Sequence, residues 1–273
     1  MKIAAFIRNI FKKYENRVSV RRAREEDVEE IMGIERKVWP EEMRATREML
    51  LSRIRTFPEG FLCVIKNGKI LGFVCSEIIC YKDTKKKDFN WYNLTDNGFI
   101  AGSHNSKGDS LYGISLSALP QNKNVKIVTT ALFDALGKLI IKNRLKRGIF
   151  GARIPRYFKY AEDLPVERYV FTRTKDEFFL DPELALYQAL GIYPVRVIKD
   201  YFEDEESLNY GVLVTWKNPY YKLMQSFHFL TPVLSKLWKA RIYKSDELLK
   251  IGKKVKFYMD KDRNKVNKIK CSN

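Results

Sequence analysis

Apolar positions change their spacing several times along the chain, and each change marks an element. Val18 to Arg24 reads as a short strand that runs into Glu25-Glu26-Asp27, where carboxylates suit the positive end of a helix dipole. Val28, Ile31, Met32 and Val38 then mark one apolar helix face. A second helix is predicted from its cap at Thr46 to Phe57, ended by Pro58-Glu59-Gly60. Phe61–Lys66 and Lys69–Cys75 flank Asn67-Gly68, a strand, tight turn and strand. Residues 81–110 are polar, carry Lys85-Lys86-Lys87 and read as a long insertion. Leu111–Ala118 is another strand, ended by Pro120. From Ile127 to Asn143 the pattern becomes helical, with Ala131, Leu132, Ala135, Leu136, Leu139 and Ile140 on one side. A short strand at Gly148–Ala152 and a helix at Pro182–Leu190 follow. Tyr193–Asp200 and Tyr210–Trp216 alternate as closing strands around the acidic loop Glu203–Glu206.

This order predicts an α/β (α+β) fold, a mixed central β-sheet with helices on both faces. It assigns residues 17–218 to one domain with an insertion at 81–110. A basic extension, 1–16, precedes it, with Ile3, Phe6, Ile7, Ile10 and Phe11 at amphipathic helical spacing. A basic, helical extension, 219–273, follows it. The composition, 45% hydrophobic and 31% charged, excludes collagen-like and wholly disordered classes. No apolar stretch is long enough to span a bilayer, and Arg8 interrupts the apolar start, so a cytoplasmic location is expected. Four cysteines without a CxxC pair and only two histidines predict no metal site.

The net charge of +18 lies at the ends: +7 over residues 1–24, +10 over 219–273 and +1 between them. Ends of this kind either attract an anionic surface, membrane or nucleic acid, or act as solvated extensions that keep the protein soluble. No GxGxxG, GxxxxGK[ST], GxSxG or HExxH motif is present.

Several stretches carry a resemblance when taken in order: Leu94-Thr-Asp-Asn-Gly98, Gly108-Asp-Ser-Leu-Tyr-Gly113, Gly151-Ala-Arg-Ile-Pro155 with Tyr157 and Lys159-Tyr160, Asp181-Pro182 through Gly191, and Asn218-Pro219. Together with the element order they resemble the GNAT superfamily of acyl-CoA-dependent N-acyltransferases. Within it they resemble the branch in which a GNAT domain precedes a carbon–nitrogen hydrolase, whose hydrolase part is absent here. The resemblance implies acetyl-CoA as co-substrate, an amine acceptor and a homodimer. It implies backbone contacts to the acyl-CoA from Leu116, Ser117 and Ala118. It also implies a pyrophosphate loop at Asn124, Val125, Lys126, Ile127, Val128 and Thr129, beside free N–H groups at a helix start.

This loop lacks the glycines of the family pattern, in this register and in one starting at Gln121. The chain is then either a divergent enzyme or a silent acyl-CoA-binding regulatory module. Tyr187, four residues before Gly191, matches a Tyr-x-x-x-Gly pattern and is either the acid that protonates the leaving thiolate or a core aromatic. The strand Tyr112–Leu119 carries no carboxylate, so a base for the amine must come from Asp109, Glu77 or a water-linked group, with His104 a weaker choice. Asp96 and Tyr112 fall in family-like segments bordering the acceptor pocket. Arg153 and Tyr157 either bind an anionic substrate or, respectively, pair with the acidic loop 203–206 and pack.

Overall fold

The computed structural model describes residues 18–119 and 125–238. The amphipathic helix expected at 1–16 and most of the C-terminal extension, 239–273, lie outside the described residues. The described chain forms two compact units, one holding residues 18–151, 201–203 and 217–238, the other 152–200 and 204–216.

In the first unit β1 (Ser19–Arg22), β2 (Phe61–Lys66), β3 (Lys69–Ile79) and β4 (Ser110–Ala118) pair antiparallel in chain order. β5 (Arg147–Ala152) runs parallel to β4. The β2–β3 hairpin turns on Asn67 and Gly68, both at positive φ (51° and 75°), as a two-residue loop of primed geometry requires. Thr46 caps the helix α2 (Arg47–Thr56): its hydroxyl accepts from the Met49 N–H at 3.3 Å.

Strand alternation gives this sheet two apolar faces. Against one of them packs α4 (Val125–Lys142), whose Val128 and Leu132 join Val64, Leu71 and Val74 in a buried cluster. Gly72 makes that contact possible. A Cβ there would stand 2.6 Å from the Ser117 carbonyl oxygen and 2.7 Å from Val128 Cγ1. The helix α1 (Val28–Val38) lies on the opposite face, because its Glu35 carboxylate accepts from Ser117 Oγ at 2.9 Å.

The segment read as a polar insertion is folded. It carries a short helix, α3 (Trp91–Leu94), capped by Asn90, and buries Phe89, Leu94 and Ile100. Tight turns replace regular structure there: Asp96, Asn97, Gly98 and Ile100 all have positive φ. For Ile100, a β-branched residue, that conformation is strained and is held by complete burial of its side chain.

In the second unit α5 (Val166–Phe171) and α6 (Pro182–Ala189) accompany an antiparallel pair, β6 (Tyr193–Ile198) and β7 (Gly211–Lys217). Asp181 caps α6 by accepting from Glu183 N and Leu184 N, and also accepts from the Tyr169 hydroxyl at 2.9 Å. α5 has no counterpart among the elements predicted from the sequence.

Candidate active site

The site begins with a defect in the β3–β4 ladder. Ser76 lies opposite Gly113 and Cys75 opposite Ser115, so Ile114 is one extra residue on β4. Such a bulge bends its strand and ends regular pairing nearby. On the other side of β4 the parallel ladder with β5 runs from Ser110↔Arg147 only to Gly113↔Phe150. Beyond Gly113 the two strands part, which frees the β5-facing edge of Ile114–Ala118. One carbonyl there has a side-chain partner: Trp91 Nε1 donates to Ile114 O at 3.2 Å.

Paired residues share a face, so Tyr112, Ser115 and Ser117 of β4 lie with Glu77, Cys75 and Phe73 of β3. α1 covers Ser117, whose hydroxyl donates to Glu35 and accepts from Trp39 Nε1 at 2.8 Å. Burial raises the Glu35 carboxyl above its ordinary range, opposed by its bonds from Ala45 N and Ser117. Glu77 is fully buried. One of its oxygens accepts from Ser103 Oγ at 2.7 Å and the other, Oε1, has no hydrogen-bond partner. Burial pushes its pKa up to about 8, against the pull of the Ser103 bond and the Arg53 charge.

Arg53, also buried, donates from Nε to Gly98 O at 2.7 Å, while its Nη1 is unpartnered. Burial likewise raises the Cys75 thiol to about 11. His104 stacks on Phe57 with ring centroids 4.5 Å apart and accepts from Ile78 N at Nδ1, and burial lowers its pKa. That acceptor role leaves the proton of the neutral ring on Nε2. A carboxyl with its pKa raised in this way can, once ionised, take a proton from an amine, and Glu77 lies opposite Tyr112, just before β4 and β5 part.

The residues expected to contact acyl-CoA divide along this geometry. Leu116 and Ala118 turn their side chains into the α4 core cluster, and Ser117 turns its own toward α1, so only their backbone faces the opening. Val128 is a core residue rather than a loop residue. Ile127 is 45% exposed in the first turn of α4, so its side chain does not fill the core beneath it. Thr129 is half-buried. Val125 and Lys126 open the helix, and Asn124 lies outside the described residues.

The expected acid–base and acceptor residues are placed as follows. Asp109 sits just before β4, at the end of the β4–β5 ladder away from the opening, accepting from Tyr81 N at 2.8 Å and Ser110 Oγ at 3.0 Å. Burial raises its pKa, but those bonds and Lys146, 3.4 Å away, hold it below the ordinary range. Tyr112 is buried, and its hydroxyl meets that of Tyr201. Asp96 closes a turn by accepting from Gly102 N at 2.9 Å.

In the second unit Arg153 takes the structural one of its two expected roles. It donates to both Asp204 oxygens (2.7 and 2.8 Å) and to Glu206 at 2.9 Å. Tyr157 is buried against the rings of Tyr169 and Tyr210. Tyr187 lies on α6. Burial, with Glu183 and Asp181 nearby, holds its hydroxyl well above the ordinary range. Gly191, at φ 73°, ends that helix, with Ile192 N donating to Tyr187 O, so the Tyr-x-x-x-Gly spacing also has a capping role.

Arg53, Ser103 and Trp91 entered no sequence-based expectation. Arg53 was legible: it falls at helical spacing with Leu50, Ile54 and Phe57 on the apolar side of α2. Among the described residues no group of three or more His, Cys, Asp or Glu could hold a metal ion.

No known family profile matches the chain. Among curated proteins it is 35% identical over 209 residues to the uncharacterized N-acetyltransferase YkwB of Bacillus subtilis, covering 75% of this chain and 91% of that one. It is also 29% identical over 252 residues to the probable hydrolase YhcX of the same organism, where it spans only 48% of the relative's length. Among solved structures, the loading GNATL domain of CurA from Lyngbya majuscula superposes with a TM-score of 0.62 at 20% identity, over 74% of this chain and 98% of that one. The GphF GNAT-like decarboxylase, in complex with isobutyryl-CoA, gives 0.58 at 23% identity, over 73% and 99%. With a mixed sheet opened by a bulge in β4, and with YkwB matched over nearly its whole length, the chain belongs to the GNAT superfamily.

Proposed function

We propose that the protein transfers an acyl group, acetyl in the simplest case, from acyl-CoA to the amine of an acceptor. The observation that carries this reading is the opened edge Ile114–Ala118, with the buried Glu77 on the neighbouring strand opposite Tyr112, just before the opening. A thioester lying along that edge meets unpaired backbone groups that can hold its pantetheine arm and polarise its carbonyl. Free N–H groups at the start of α4 suit an anionic diphosphate, and Ile127, being exposed, leaves the core beneath them closed and unaltered.

Glu77, when ionised, takes one proton from the acceptor's ammonium group, and the neutral amine attacks the thioester carbonyl. The C–N bond forms as the C–S bond breaks, the nitrogen gives up its second proton, and the leaving thiolate takes one. Tyr187 remains the proposed donor of that proton on the strength of the Tyr-x-x-x-Gly pattern alone. Asp109, Asp96 and Tyr112 are reassigned: their partners suit them to shaping the loops and strand around the site. The N-acetyltransferase name of the relative YkwB supports acetyl as the group transferred.

Following CoA thiol release from acetyl-CoA across a panel of amines tests the reading directly. Turnover that collapses in Glu77→Gln is expected. Acetyl-CoA binding with no turnover for any amine would instead favour the silent binding module.

A further inference from the structure

The end of the described chain presents an apolar stripe that no described residue of the first unit covers. α7 (Tyr221–Ser226) and α8 (Thr231–Leu237) are joined by a single turn over His228–Leu230. Leu223 and Phe227 stand four residues apart, as do Phe229, Val233 and Leu237, so each set lies on one side of its helical segment. All five are exposed, Phe229 and Leu237 the most, at 74% and 71%. The opposite side holds the helices in place: Met224 is buried, and Trp238 packs so closely on α4 that a Cβ on Gly137 would lie 2.3 Å from its Nε1. The stripe is therefore the outward face of an anchored element.

Its charge surroundings select a partner. From Ser207 to Trp238 the sequence has no acidic residue, while it has Lys217, Lys222 and Lys236. Exposed aromatic and aliphatic side chains on a segment with lysines and no carboxylate of its own suit the interface of an anionic bilayer, where rings and chains enter the acyl boundary and lysines meet headgroups. A second copy docking on the same face would bring like charges together, and a nucleic acid, which could stack bases on the two phenylalanines, would leave Leu223, Val233 and Leu237 without a partner. We infer that the α7–α8 stripe docks the protein peripherally on an anionic membrane surface.

The test uses the full chain and co-sedimentation with vesicles of phosphatidylcholine alone or mixed with phosphatidylglycerol, in low and high salt. Partition onto the anionic vesicles only, weakened by salt, is expected. The doubly substituted Phe229→Glu, Leu237→Glu protein should lose roughly tenfold or more of that partition while keeping the far-ultraviolet circular dichroism of the parent. Both positions are exposed, so the fold does not depend on them. Undiminished partition of the variant would overturn the inference and shift binding to the basic ends alone. Absence of partition by the parent would also overturn it, as would self-association or a DNA gel shift abolished by the same two substitutions without any lipid binding.

Discussion

Replacing Glu77 by Gln removes one ionisable proton at nearly constant volume, and it separates two consequences of burial. In the folded protein the carboxyl is raised from 4.5 to about 8, with burial as the main cause. At 1.36 kcal/mol per pKa unit that difference corresponds to roughly 5 kcal/mol of preference for the protonated form, an upper figure because local relaxation lowers it. The folded state binds this proton more tightly than the unfolded chain does. The associated stability is therefore fully present below about pH 4.5 and is lost as pH rises through about 8. Urea unfolding near pH 5 and near pH 9 should show the parent losing a few kcal/mol more than Glu77→Gln across that window. In kinetics the sign reverses, because only the ionised form accepts a proton. The parent's kcat/KM should climb about tenfold per pH unit and level off near pH 8, and the Gln variant should fall by roughly 10²–10⁴. A Gln variant with the parent's rate and pH profile would refute the base assignment, and equal stability loss in both proteins would refute the burial argument beneath it.

Other substitutions probe separate links. Tyr187→Phe should lower kcat by about tenfold or more with an unchanged fold, read by the same thiol-release assay; an unchanged kcat leaves Tyr187 with packing only. Arg153→Ala should cost about 2–4 kcal/mol in urea unfolding, since Asp204 loses its bidentate partner. Its KM for anionic and neutral acceptors should change alike, because the guanidinium is already committed. Leu132→Ala, which empties the centre of the α4 cluster, should cost roughly 2–5 kcal/mol in the same unfolding assay.

Where the fold follows local rules, the sequence was enough to read it. Asn67-Gly68 fixed a hairpin through its need for positive φ, Thr46 marked one helix start and Pro182 another, and the spacing of Leu132, Leu136 and Leu139 marked α4. Within residues 81–110 a polar surface conceals buried Phe89, Leu94 and Ile100 in turns with neither helical nor strand period, so no element was predicted there. The site divides in the same way. Glu77 was named among the candidate bases although the predicted strand ended two residues before it, at Cys75, and the alternative partner named for Arg153 is the one found. The bulge at Ile114 has no signature in composition or period, since a single extra residue is visible only through the register of two strands 35–40 positions apart. Asp109 looked catalytic from its neighbours in sequence, yet its hydrogen bonds to Tyr81 N and Ser110 make it a pin at the wrong end of β4.

Amide hydrogen exchange with and without acetyl-CoA tests most directly whether the opened edge of β4 receives acyl-CoA. Slowed exchange centred on Ile114–Ala118 and on the first turn of α4, with β1 and β2 unchanged, is the predicted result. Saturating acetyl-CoA that leaves the exchange of Ile114–Ala118 untouched would contradict it.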